Sequence, residues 1–242
     1  MRLFLRLATL LLLLGNTSLV YAEPDTGDNG RHLKTNWQDG WYFLFGGGLT
    51  GSLYITDNLR NRGAAGPSIQ THLGYWAFDA IGFEIGSLVG FNYFRQVPLE
   101  GFGTRIEDID YFSWNSAFYW GMRARLPGVK HTNNFNPYLR MMQGAAQSVG
   151  FFLNGFDRYP ALRDLRIHNE GTMIGFAIGN VFNSLNSKRH VWYIEFGVHL
   201  FLLRQRFAIS GEEVVPIIVN NEAVSKDDRI IQTSLSIGIA FF

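Results

Sequence analysis

The chain has 242 residues, 21 basic against 20 acidic side chains, and no cysteine. That balance excludes the basic surface a nucleic-acid binder needs, and a cysteine-free chain excludes a disulfide framework. Aromatics reach 15% and glycines number 27, yet mean hydropathy is zero, so the apolar residues are dispersed rather than gathered into long runs.

The first 22 residues read as a secretory signal peptide. Arg2 and Arg6 give a positive start, Leu7–Leu14 a short apolar core, and Val20-Tyr21-Ala22 a cut ahead of Glu23. The apolar run is shorter than the roughly 20 residues that span a bilayer. With no cysteine after it, a lipid anchor is excluded. Removing Arg2 and Arg6 leaves 19 basic against 20 acidic residues, a formal net charge of −1. Residues 23–39 are polar, contain Gly27 and Gly30, and lack periodicity, as expected of a flexible periplasmic lead-in. Residues 40–242 contain no Pro/Ser-rich linker and form a single domain.

Eight alternating segments follow, each with a period of two that marks a strand with two unlike faces. Trp41–Ile55 sets Phe43, Phe45, Leu49 and Leu53 against Gly46, Gly48, Thr50 and Ser52. Ser68–Ala77 sets Ile69, Leu73 and Tyr75 against Gln70, His72 and Gly74. Ala80–Arg95 alternates most cleanly, with Phe83, Ile85 and Val89 opposite Gly82, Glu84 and Gly86. Ile109–Leu126 places Trp114, Phe118 and Trp120 opposite Asn115, Ala117 and Arg123. Pro137–Leu153 is the least regular, because Gln143 and Gln147 share the face of Leu139 and Met141, and a bulge or face switch is expected there. His168–Phe182 and Val191–Phe207 restore the alternation. Arg229–Phe242 ends the series with Leu235, Ile237, Ile239 and Phe241 on one face.

Loop lengths divide by parity. Thr56–Pro67, Gln96–Asp108, Asn154–Ile167 and Ala208–Asp228 follow the odd segments and are mostly long. Phe78–Asp79, Pro127–Asn136 and Asn183–His190 follow the even ones and are generally shorter. Short turns on one side and long loops on the other are the pattern of an up-and-down membrane barrel with both termini in the periplasm. Aromatics give a second sign. Trp41, Tyr42, Tyr75, Trp76, Tyr138, Trp192, Tyr193 and the final Phe241-Phe242 sit at one set of strand ends, and Tyr54, Tyr93, Phe94, Tyr111, Phe112, Phe151 and Phe152 at the other. Two such bands suit the two headgroup zones of a bilayer. The rival is a soluble eight-stranded barrel of lipocalin type, with the oily face inward; it would leave Glu84, Arg123 and Glu195 in water.

Glu84, Arg123, Arg140 and Glu195 lie on the small-residue face at similar depth near the periplasmic ends of their strands. Charges in so narrow an interior must pair, so the four form either a structural plug or a gate. His72 and His199 share that inner face, and two histidines are too few for a metal site. His168 and Glu170 fall near the outer rim, but no nucleophile motif surrounds them, so neither catalysis nor a cofactor is expected. The inward glycines either let the sheet coil tightly or leave a narrow pore. Val214–Val219 is an oily run in the last external loop, read either as a partner-binding tip or as a paired strand extension.

Taken together, the signal sequence, the eight amphipathic segments, the alternating loops and the terminal Phe241-Phe242 resemble the small eight-stranded outer-membrane β-barrels of the OmpA/OmpX/OmpW type. The resemblance covers nearly all of the mature chain. It implies an all-β, antiparallel, up-and-down transmembrane barrel in contact with outer-membrane lipid, and a closing strand read by the barrel-assembly machinery. In such proteins the terminal aromatic shares the lipid-facing parity of its strand; here Phe241 does and Phe242 does not. With no periplasmic domain after the last strand, cell-wall anchoring is not implied. Two roles stay open: a structural or surface-interaction barrel working through its external loops on an extracellular ligand or host surface, and a narrow channel for small or hydrophobic solutes.

Overall fold

The computed structural model describes residues 40–55, 62–78, 80–99, 106–126, 135–157, 160–183, 190–210, 213–215, 218–219, 222–223 and 228–241. The signal peptide, the lead-in and Phe242 lie outside the described residues. Strands β1 (Gly40–Ile55), β2 (Arg62–Phe78), β3 (Ile81–Leu99), β4 (Ile106–Arg125), β5 (Asn136–Phe152), β6 (Leu165–Asn183) and β7 (His190–Ser210) pair each with the next, all antiparallel. Three short pieces, β8 (Glu213–Val215), β9 (Ile218–Val219) and β10 (Glu222–Ala223), precede the closing strand β11 (Asp228–Phe241). That strand pairs with β7 on one side and β1 on the other, so neither long edge of the sheet is left open.

The register fixes the geometry of the barrel. Crossing from Leu44 through His72, Gly86, Tyr119, Gly144, Met173, Phe201 and Ile230 returns to β1 at Tyr54, ten residues along. Eight strands with that stagger tilt by about 40° and enclose an interior filled by side chains.

Burial assigns the two faces. Large apolar side chains such as Phe45, Leu49, Phe118, Leu235 and Ile237 are exposed on the outside, whereas Glu84, Arg123, Arg140, Gln70 and Asn115 are buried within. This is the inverse of a soluble barrel and rules out the lipocalin-like alternative. An outward apolar belt is stable only against hydrocarbon, and a closed ladder is what lets a sheet cross it. β7 and β11 show the belt most cleanly: Trp192, Ile194, Phe196 and Val198, and Leu235, Ile237 and Phe241, all point outward and exposed.

Three expectations need correction. The aromatic bands are half as large as the sequence suggests. Trp41, Tyr75, Trp192 and Phe241 do face out at one end, and Tyr93, Phe112 and Phe151 at the other, but Tyr42, Trp76, Tyr138 and Tyr193, with Tyr54, Phe94, Tyr111 and Phe152, point inward and are buried. Position along a strand gives depth, whereas parity decides face, and each Trp-Tyr or Phe-Tyr pair spends one ring on each side. Secondly, β5 has no face switch: its register with β4 and β6 is unbroken, and Gln143 and Gln147 remain on the outward face. The irregularities fall elsewhere, at Trp76/Phe78, along Phe94–Leu99 and at Glu170/Gly171. Thirdly, much of the supposed loop sequence is strand. β2 begins at Arg62, and β7 runs to Ser210 before β8 folds back on it, pairing Ser210 with Glu213 and Ala208 with Val215. The start of the oily run is thus a strand extension. Spans of 14 to 21 residues exceed the roughly 9–11 needed to cross a bilayer, so the strands project beyond it.

Candidate functional site in the barrel lumen

The lumen is filled in levels. Nearest the strand ends that carry Trp41 and Phe241, an apolar layer of Tyr42, Leu44, Trp76, Val181, Val191 and Ala240 surrounds the ring of Tyr138. Above it lie the four charges, which the fold brings together. Glu84 on β3 is 3.3 Å from Arg123 on β4 and 3.3 Å from Arg140 on β5, and Arg140 Nη2 donates to Glu195 Oε1 on β7 at 2.6 Å. The contacts differ in quality. The Arg140–Glu195 pair is a short charge-assisted hydrogen bond, whereas both Glu84 contacts are close without hydrogen-bond alignment. Arg123 and Arg140 stand directly opposite each other in the β4–β5 ladder, a repulsive placement that the flanking carboxylates offset.

Tyrosines complete the network, and the backbone shows how. Tyr42 on β1 lies beside Gly74 on β2, which lies beside Glu84 on β3. The Tyr42 ring crosses the glycine and its hydroxyl donates to Glu84 Oε2 at 3.0 Å. The arrangement repeats on the far side: Tyr138 on β5 crosses Gly179 on β6 to donate to Glu195 Oε2 on β7 at 2.9 Å. Tyr119 likewise crosses Gly86 to reach His72, and Tyr193 crosses Gly238 and Gly46 to reach Gln70. Gly46, Gly74, Gly86, Gly179 and Gly238 are thus neither empty pore nor solely sites of curvature; they are the floor on which aromatic rings lie. A Cβ built on Gly74 would sit 2.2 Å from the Tyr42 ring, whereas one on outward Gly47 would meet nothing nearer than 3.6 Å. Gly74→Ala is therefore expected to destabilise the barrel by about 1–3 kcal/mol, in the range of core overpacking, and Gly47→Ala to leave it nearly unchanged. Urea unfolding from lipid vesicles reads the difference.

Both predicted histidines are inside. His72 belongs to the network: Arg140 Nη1 lies 2.6 Å from its Nδ1, and Tyr119 also contacts that nitrogen. His199 sits apart, with Nε2 at 3.1 Å from Ser234 Oγ and no partner on Nδ1. A serine beside a histidine suggests a nucleophile, but no third group orients this imidazole and both residues are buried. His168 and Glu170 stay on the outward face of β6. Among the described residues, no cluster of three metal-ligating side chains occurs.

Beyond the charges comes an uncharged polar level. Gln232 Oε1 accepts from Asn115 Nδ2 at 3.1 Å, and the Tyr54 hydroxyl meets Ser113 at 2.7 Å, Asn115 at 3.1 Å and Asn92 at 3.3 Å. The outer end is apolar. Phe94, Ile109, Tyr111, Phe152, Leu203 and Ile230 converge there, and Leu162, on a single 3₁₀ turn at Pro160–Leu162 in the β5–β6 connection, packs down onto them. Gly155 (φ 83°) starts that connection in a backbone conformation glycine favours, and its Cα side faces Ile109. Arg140, Tyr119, Gln232 and Ile230, one from each successive level, are 1% exposed or less.

Of this site, the sequence names the four charges and two histidines and misses Tyr42, Tyr119, Tyr138, Tyr193 and Gln70. The signal for the tyrosines is present: each has inward parity and a glycine across the strand pair, legible once the register is known.

No protein-family model and no curated protein sequence matches the chain. Among solved structures it is similar to Ail, the attachment invasion locus protein of Yersinia pestis, crystallised with the heparin analogue sucrose octasulfate, at 11% identity and TM-score 0.47, covering 84% of this chain and 99% of that one. It is also similar to Neisserial surface protein A at 13% identity and TM-score 0.48, covering 84% and 96%. The outer membrane protein OprG of Pseudomonas aeruginosa gives 12% identity and TM-score 0.45, with the same coverage. On its own strand pairing and outward apolar belt, the chain is an eight-stranded antiparallel transmembrane β-barrel, the architecture of the small outer-membrane barrels its sequence resembles.

Proposed function

We propose that the protein is a sealed outer-membrane barrel whose external loops are the working part, with a structural or surface-interaction role. The observation that supports this reading most strongly is the double closure of the lumen. The Glu84–Arg123–Arg140–Glu195 level obstructs one half, and the apolar cap under Leu162 obstructs the other. A solute would have to displace a buried ion-pair network and a packed apolar cluster in turn, which makes the narrow-channel role the weaker reading. In this account the signal peptide at 1–22 directs export, β11 with its outward Phe241 is the segment presented to the assembly machinery, and both termini face the periplasm. The long connections and the β7–β8 extension then stand outside the cell, available to an extracellular ligand or a host surface.

Proteoliposomes carrying the protein, compared with empty liposomes on a layer of cultured host cells, test the role. Retention above the empty control is expected, with loss on shortening residues 211–227. Retention that persists after every external loop is shortened would assign the binding to the lipid or the wall.

A further inference from the structure

The outward face of β6 changes character along its length. Ile174, Phe176, Ile178 and Phe182 are apolar and exposed, but the outward positions before them are Arg166, His168, Glu170 and Thr172. Arg166 lies in one row of the ladder with Phe151, Phe112 and Tyr93, the outward aromatics of that end, which sets these charges at a headgroup zone. Glu170 and Arg166 are both near enough to His168 to act on its charge. Among the described residues, no hydrogen bond or ion pair engages the Glu170 carboxylate. Beside it the surface is recessed. One row running from Ser87 through Phe118 and Ala145 to Thr172, and the next row, ending at Gln147 and Glu170, line an open hollow of about 630 Å³. Phe118 walls it, 65% exposed. The β6–β7 ladder slips at Glu170/Gly171, so a bulge sits at the rim, a feature that re-aims side chains beside sites.

Hydrocarbon suits the floor of the hollow but not this rim, and a carboxylate there repels a lipid whose headgroup is a phosphate alone. We propose that the hollow and the β6 rim bind one lipid molecule whose headgroup joins a phosphate to a primary amine. The ammonium donates to Glu170, the phosphate lies over His168 within reach of the Arg166 guanidinium, and one acyl chain runs over Ala145 against Phe118. Charge complementarity selects this occupant. Glu170 and His168 are successive outward positions, about 7 Å apart along the strand, and Arg166 is the next, so an anion site and a cation site adjoin on one face. A headgroup with its two charges a few bonds apart matches that order and leaves neither charge alone at the hydrocarbon edge. A trimethylammonium headgroup carries the same charges but has no N–H, so it forgoes the charge-assisted bond to Glu170.

Native mass spectrometry of the protein released from vesicles of equal phosphatidylethanolamine and phosphatidylcholine content reads the retained lipid, with heat-modified gel migration confirming the fold of each variant. The parent is expected to retain the ethanolamine lipid over the choline lipid by about tenfold, the worth of one charge-assisted hydrogen bond. Glu170→Gln is expected to bring the two to near equality. Arg166→Gln should lower retention of both, because they share the phosphate. Arg229→Gln, which removes an outward charge of the same end on β11, should change neither. Equal retention of the two lipids by the parent would overturn the proposal. So would a preference that Glu170→Gln leaves intact, or retention that Arg166→Gln leaves unchanged. A preference lost as fully with Arg229→Gln would also overturn it, assigning the effect to the general charge of that end.

Discussion

Arg140→Met is expected to lower the unfolding free energy by about 3–5 kcal/mol, the cost of breaking a buried ion pair and leaving its partner charged. Arg140 touches three members of the network: Glu195 through a 2.6 Å hydrogen bond, Glu84 at 3.3 Å and His72 at 2.6 Å. Without it Glu84 keeps Arg123, but Glu195 is left with neutral donors only, Tyr138 at 2.9 Å and Gln70 at 3.3 Å. The loss should therefore be concentrated on Glu195. Arg140→Met combined with Glu195→Gln is expected to recover a large part of it, because the second change removes the orphaned charge, and the double-mutant cycle reads that coupling directly. Denaturant unfolding from vesicles and the temperature at which the folded gel band is lost are the measurements. A single variant as stable as the parent would mean that the charges do not hold the lumen.

Leu235→Arg probes the other face. Leu235 is 52% exposed on the outside of β11, in mid-strand, opposite Leu49 of β1 on one side and Phe196 of β7 on the other. Guanidinium at the bilayer midplane is expected to cost about 2–4 kcal/mol, whereas the same substitution at Tyr93, near the outer interface, should cost about 0–1 kcal/mol. The depth dependence is the informative part. A soluble barrel would tolerate both changes equally, since exposed positions in water accept a charge with little effect.

The period-two alternation made the strand count, their faces and the charge level legible from sequence, because a narrow closed barrel constrains parity at every position. Glu84, Arg123, Arg140 and Glu195 were found by that rule alone. What was not legible depended on register. The pairing of Tyr42 with Glu84 across Gly74 requires knowing that three particular residues stand in a row on three strands. Tyr42, Tyr138 and Tyr193 read as interface aromatics from their depth near the strand ends, although their parity, which needs no register, turns them into the lumen. Strand ends were underestimated because Arg62–Pro67 and Ala208–Ser210 extend the ladder with sequences that do not alternate in hydropathy. Beyond the bilayer neither face needs to be apolar, and the sequence signal fades while backbone pairing continues. Gln143 and Gln147 looked like a break in β5 for the opposite reason: their parity was right and their chemistry was wrong for lipid.

The sealed lumen is the central claim, and planar-bilayer recording of the refolded protein tests it most directly. The account predicts a quiet membrane, with no reproducible current steps from the parent, and sparse openings only when Arg140→Met and the removal of residues 156–164 are combined. Reproducible unitary steps from the parent protein would contradict it and make the barrel a channel.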